Sequence, residues 1–179
     1  MENKVLFPGV KDGEVFRVGE VDFIKFPIEG DVTPVVAKDV LFNGEFGRDN
    51  NFSCSTVLKR MQEEILPKIM EVVGDENICL FQTDLTTLDG LRPYEPAESL
   101  IGLPTFNFYR NHVDIFDRYK VKRWWWLATP ESAQPHSDPD WVVCVAPSGC
   151  IYGVSCNYDF GGVRPFLVFK SSIFGSCEE

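Results

Sequence analysis

The sequence predicts an α+β protein in which an antiparallel sheet is covered by one principal helix. Three patterns carry this reading. Residues 14–26 alternate apolar and polar positions around Gly19-Glu20, residues 53–74 hold one apolar stripe at helical spacing, and residues 124–169 hold strand-like runs separated by turn residues.

Residues 14–18 and 21–26 read as a β-hairpin turning at Gly19-Glu20. Residues 32–36 contain Pro34, which has no N–H for a ladder, so this run is predicted to be an edge strand. Residues 43–52 are Gly- and Asn-rich and polar, which predicts a loop. The helix is predicted to begin at Ser53 or Ser55, either of which can cap it. Leu58, Met61, Ile65, Ile69 and Val72 then share the face turned to the sheet, and Lys59, Arg60, Glu63 and Glu64 face water. Pro67 kinks this helix or starts a second one, and Gly74 stops it. Residues 77–82 read as a strand, residues 83–106 as a long ordered connection, and residues 107–119 as helix or loop.

The C-terminal third divides into strands at 124–130, 141–146, 150–156 and 163–169, with a turn at Pro147-Ser148-Gly149. In the first of these, Trp124 and Trp126 point to one face and Trp125 and Leu127 to the other. Pro165 puts the start of the last run at an edge or bulge. No linker composition or repeat interrupts the chain. It is read as one domain over 1–179, with hairpin, helix and connection in 1–120 and the β region in 121–179.

The 179 residues are 44% hydrophobic, enough for a full core and too much for a disordered chain. Lys and Arg number 17 against 27 Asp and Glu, a formal charge of −10. Such a balance opposes direct nucleic-acid binding, which needs clustered cations. It suits a protein that repels nucleic acid, or imitates it before a basic partner. Glu2 and Pro8 break the N-terminal stretch, and no apolar run has the length of a signal peptide or a membrane span. The reading is therefore cytoplasmic, with no membrane partner.

The cysteines are Cys54, Cys79, Cys144, Cys150, Cys156 and Cys177, with no C-x-x-C pair. Cys150 and Cys156 would lie on one strand face roughly 20 Å apart, too far for one zinc ion, whereas Cys144 can approach Cys150 across a hairpin. Buried free thiols are expected. A structural metal held by Cys144, Cys150 or His136 is the competing reading.

Trp125-Trp126-Leu127-Ala128-Thr129-Pro130, then Ser148-Gly149, then Gly162-Val163-Arg164-Pro165-Phe166 resembles an uncharacterised domain family of gut Firmicutes and their phages. Its members carry a W-W-L-x-[ST]-P strand and a terminal G-V-R-P strand. The pattern is also similar to the C-type-lectin-like fold shared by formylglycine-generating enzymes and the variable tip proteins of diversity-generating retroelements. The likeness covers residues 123–170. The stretches Phe-Gly-Arg-Asp-Asn-Asn-Phe and Asp-Leu-Thr-Thr-Leu-Asp-Gly upstream also look typical of the family.

The resemblance implies a lectin-like C-terminal half and a phage or prophage origin, in the host cytoplasm or in a phage particle. It also implies that the stretch between the two signature strands presents a binding surface for a protein partner. Carried over by position, that surface comprises Glu131, Ser132, Gln134, His136, Asp138, Asp140, Trp141, Tyr152, Ser155, Asn157, Tyr158, Asp159 and Phe160. Its Tyr and Asn content suits recognition. Arg164, beside a proline on a buried strand, is expected to hold a carboxylate or loop carbonyls with its fork. The Gly161-Gly162 pair is expected to allow positive φ or close backbone approach.

Motifs for chemistry are not found. No Ser or Cys sits in a G-x-S-x-G elbow, and neither a P-loop nor a dinucleotide fingerprint is present. Cys150 and Cys156 do not match the reactive pair of the formylglycine-generating enzymes. Asp84, Asp89, Asp114 and Asp117 can cluster, but the run 84–90 lacks the spacing of a helix-loop-helix calcium loop. It reads as a turn with hydrogen-bonded Asp side chains. No catalytic residue, metal or cofactor is assigned.

Three functions follow. The first is a non-enzymatic recognition protein using the loops between Pro130 and Gly162. The second is an acidic intracellular inhibitor of a nucleic-acid enzyme, of the anti-CRISPR type, using Glu63, Glu64, Glu71, Asp75, Glu76, Asp138, Asp140, Glu178 and Glu179. The third is an enzyme or metal protein using Cys144, Cys150, Cys156 and His136.

Overall fold

The computed structural model describes residues 4–175. Its strands are β1 (Val15–Val18), β2 (Val21–Lys25), β3 (Val32–Ala37), β4 (Phe42–Asn43), β5 (Phe81–Thr83), β6 (Ala97–Ser99), β7 (Trp125–Pro130), β8 (Trp141–Val145), β9 (Ile151–Ser155), β10 (Gly162–Val163) and β11 (Phe166–Lys170). Its helices are α1 (Thr56–Arg60), α2 (Leu66–Val73), α3 (Phe106–Asn111) and α4 (Val113–Phe116). Mixed helix and sheet makes the protein α+β. Among the described residues, no helix is long and apolar enough to cross a membrane.

The strands form sheets ordered β1-β2-β3-β11 and β4-β10-β7-β8-β9, with β5 and β6 paired separately. The two large sheets are joined by a ribbon. β3 continues towards β4 while β10 continues to β11, and the two lines run antiparallel, pairing Val163 with Phe42 and Phe166 with Val36. The run 163–169, expected as a single strand, is thus two strands in two sheets. The break falls at Arg164-Pro165, as proline would dictate. The sheet is also not wholly antiparallel, because β10 runs parallel to β7.

Along each strand, side chains alternate between two cores. Phe23, Val35, Trp126 and Cys144 enter one, together with Leu58, Met61, Ile69 and Val73 of the helical run. Ile24, Val36, Trp125 and Val145 enter the other, with Tyr109, Ile115 and Phe116 of α3 and α4. The tryptophan alternation is therefore as expected. The expectation of one covering helix is not met: α3 and α4 cover the opposite face, because the strands there are apolar on both sides. Both cores draw on residues before and after position 120.

Local chemistry explains the elements. Gly19 turns the β1–β2 hairpin at φ +60. Ser55 caps α1 by accepting from the Leu58 N–H at 3.1 Å, while Asn51 caps the short 3-10 turn that contains Ser53. Between α1 and α2 a π turn spans Met61–Ile65, and the Leu66 N–H reaches back to the Met61 carbonyl. Pro67 then sits in the first turn of α2, where no N–H is needed. The extra residue of the π turn rotates the apolar stripe. Val73 is buried and Val72, expected in the core, is 46% exposed. Gly74 ends α2 at φ +83.

Pro34 overturns the edge-strand reading, because β3 is paired on both sides. The Phe26 N–H still donates to the Pro34 carbonyl at 3.0 Å, one residue past the last β2–β3 pair. Proline forfeits only the return bond, at the point where that ladder stops. Residues 77–80 are not strand either: Ile78 makes one bridge to Phe169, and the strand starts at Phe81.

Gly161 lies against the Trp126 indole, and a Cβ there would overlap ring atoms. The indole cannot retreat, since its Nε1 donates to the Gly44 carbonyl at 3.0 Å and its ring is fully buried. Gly161→Ala is expected to cost about 3 kcal/mol of stability, measured by urea denaturation. A loss below about 0.5 kcal/mol would show that the ring is not confined.

Candidate functional site

Residues 44–52 form an irregular strap under the C-terminal loops, and its backbone and side chains hold both loops that the sequence singled out. The Phe46 N–H donates to Cys156 O at 2.9 Å and the Gly44 N–H to Gly161 O at 3.0 Å, fixing the ends of loop 156–161. The Asn50 N–H donates to Pro139 O at 2.8 Å. The Asn50 amide donates to Ser132 O at 2.8 Å and Trp141 O at 3.0 Å, and its carbonyl accepts from the Tyr94 hydroxyl at 2.7 Å. Asn50 is fully buried, so these bonds form where water does not compete and their loss would strand polar groups. The two loops also meet directly, Cys156 N–H donating to Asp140 O at 2.7 Å.

A second anchor comes from the turn at residues 84–91. Asp89 accepts from the Ser132 hydroxyl at 2.6 Å, the Thr87 hydroxyl at 2.6 Å and His136 Nδ1 at 2.8 Å. These bonds, Ser132 foremost, then Thr87, then His136, hold the Asp89 carboxyl well below the usual carboxylate range. Asp84 likewise accepts from the Thr86 N–H and hydroxyl, which lowers its pKa. The turn with hydrogen-bonded Asp side chains is present, and its Asp89 reaches across to loop 131–140.

Each expected surface residue can now be placed. Gln134, His136, Asp138, Asp140, Asn157 and Asp159 are exposed. Gln134 donates to Asp138 at 2.9 Å, and Asn157 accepts from the Ser155 hydroxyl at 2.7 Å. Glu131 is half-buried with its carboxylate over Gly153, Ser155 is half-buried, and Ser132 is buried. The aromatic members stand out: Phe160 is 67% exposed, Tyr152 51%, Trp141 46% and Tyr158 39%. Tyr158 and Phe160 stack with centroids 5.3 Å apart, and Tyr152 packs on Trp124 at 5.1 Å.

They do not form one face. Tyr152 pairs with Cys144, whose side chain joins the α1–α2 core, whereas Trp141 shares a face with Val143 and Val145, which join the α3–α4 core. Trp141 and Tyr152 thus project from opposite sides of the β8–β9 hairpin. The exposed aromatics lie along a rim around the β8–β9 hairpin.

The chemical candidates are dispersed. Cys144 and Cys156 are buried, but Cys150 and Cys54 are exposed, against the expectation of buried thiols. Burial pushes the Cys144 thiol far above its usual range. Cys144 pairs across the hairpin with Tyr152, not Cys150; Cys177 lies outside the described residues. Among the described residues, no three His, Cys, Asp or Glu side chains converge as a metal set. Ser132 bonds to Asp89 and not to His136, so the imidazole does not activate that hydroxyl as it would in a catalytic triad. The network positions a loop. Of the acidic residues singled out, Glu63, Glu64, Glu71, Asp75 and Glu76 are exposed along the helical run. Arg60 pairs with Glu64 at 3.2 Å. Glu178 and Glu179 lie outside the described residues.

Sequence reasoning missed Asn50, Thr87 and Tyr94 as loop holders. Only the family-typical look of residues 46–52 and 84–90 pointed that way.

Two outcomes are expected. Asn50→Ala should cost about 2–3 kcal/mol, from several buried hydrogen bonds, and hydrogen exchange should speed up selectively in residues 132–141. Asp89 has a depressed folded pKa, so its contribution is complete above the unfolded carboxylate value of about 3.9 and is lost as pH falls through the lower folded value. Loop exchange should therefore accelerate on acidification below about pH 4, and Asp89→Asn should remove that dependence.

Compared with family models, with curated proteins and with solved structures, the chain matches none.

Proposed function

We propose that this is a non-enzymatic recognition protein, phage- or prophage-encoded, which binds a protein partner through the loops of a lectin-like scaffold. The observation that supports it best is the pairing of exposed aromatics with loops tied down from beneath. Phe160, Tyr158, Tyr152 and Trp141 offer large contact area. The loops that carry or flank them are anchored by Gly44, Phe46, Asn50 and Asp89. Little ordering entropy then remains to be lost on binding, and rigid aromatics at a solvent-facing rim have the character of binding hot spots. The lectin-like likeness rests on the tryptophan strand and the G-V-R-P strand, which here frame those loops.

A second reading, an acidic inhibitor of a nucleic-acid enzyme, draws on the exposure of Glu63, Glu64, Glu71, Asp75 and Glu76. The two differ in what they make binding depend on. Affinity capture from the source organism or its phage supplies a partner for measurement. On the first reading, Trp141→Ala, Tyr158→Ala or Phe160→Ala weakens that partner by about 30-fold, a hot-spot loss, while Leu80→Ala, exposed outside these loops, leaves it unchanged. On the second, the aromatic variants bind as the parent does, and affinity falls steeply with added salt.

A further inference from the structure

Arg164 is 1% exposed, yet no acidic side chain lies within salt-bridge distance of it among the described residues. Its Nε donates to the Ala37 carbonyl at 3.0 Å, which satisfies one edge of the fork. Its Nη2 is buried with no hydrogen-bond partner among the described residues. The guanidinium lies 4.6 Å from the Trp125 ring centroid and 5.6 Å from that of Phe116. Ring faces offset part of the cost of burying the charge but accept no conventional hydrogen bond. Burial lowers the Arg164 pKa to about 10, with the Asp39 carboxylate acting in the other direction from a distance. The side chain therefore stays cationic at neutral pH, and an uncompensated buried cation is expensive.

Arg164 lines a cavity of about 10 Å³ together with Tyr109, Phe116, Lys120, Trp125 and Ala146. That volume is on the scale of a single small particle. Its walls are polar and apolar in comparable measure. The Tyr109 hydroxyl is committed to the Gly149 carbonyl at 2.9 Å. Lys120 stands at the rim in an ion pair with Asp117 at 3.5 Å, a pair that adds no net charge there.

We infer that this cavity is a binding site for a monovalent anion of halide size, held by the free edge of the Arg164 fork between the α4–β7 connection and the β8–β9 turn. A neutral water would satisfy the donor but leave the charge uncompensated. A small anion does both, and it couples the ribbon carrying Arg164 to the hairpin that bears the recognition rim.

The test compares thermal unfolding in sodium chloride, sodium bromide and sodium gluconate at matched ionic strength, together with anomalous diffraction from bromide-soaked crystals. The expected result is a saturable upward shift of about 3 °C in the halides, absent in gluconate, and a bromide peak beside Nη2. Arg164→Met should abolish the shift. Should that variant fail to fold, Ala146→Val, which narrows the cavity and keeps the charge, should abolish it as well. Equal midpoints in all three salts, or an ordinary water at Nη2 with no bromide signal, would overturn the assignment.

Discussion

The arrangement of the C-terminal loops depends on one buried amide. Asn50 places two donors and an acceptor where three segments converge, loop 131–140, the start of β8 and the Tyr94 connection. Of these only the Trp141 end is regular strand, and its carbonyl also accepts from the Glu131 N–H at 3.0 Å. Without Asn50, the Ser132 carbonyl and the Tyr94 hydroxyl would lose the partner that joins them. A hydrophobic side chain of the same size could fill the space but could not fix the register of those carbonyls. The direction in which the rim residues project is therefore set from inside the strap at 44–52.

Much of the scaffold was legible because its signals are local. The β1–β2 alternation, the Ser55 cap, the Gly74 stop and the opposed faces of Trp125 and Trp126 each depend on residues a few positions away. What escaped depends on distant partners. Pro34 looks like an edge residue until it is seen that the β2 ladder ends one residue later. Val72 and Val73 change places because a π turn intervenes, and its cause is spread across Met61 to Pro67. The division of the last strand between two sheets follows from pairing with both β4 and β3. At the rim, exposure was readable residue by residue. The separation of Trp141 from Tyr152 required the β8–β9 register.

Charge is distributed unevenly between inside and outside. The chain carries a formal −10, and most of its carboxylates meet solvent. Among the described residues, the fully buried charged side chains are cations: Lys25 with Asp12 and over the Phe174 ring, and Arg164 among Trp125 and Phe116. Aromatic faces thus take on part of the role that counterions have elsewhere. An acidic exterior also lowers the field cost of these interior cations.

The ribbon that unites the sheets has a consequence for biosynthesis. Ala37 and Arg164, hydrogen-bonded across it, are 127 positions apart in the chain. β3 and β4 leave the ribosome well before their partners β10 and β11. The Val35 and Val36 edge must wait unpaired while the intervening residues are synthesised, and closure then carries the entropy of a long loop. Such a chain completes this ribbon only once β10 and β11 have emerged, and until then its exposed strand edge is open to any other chain that can pair with it.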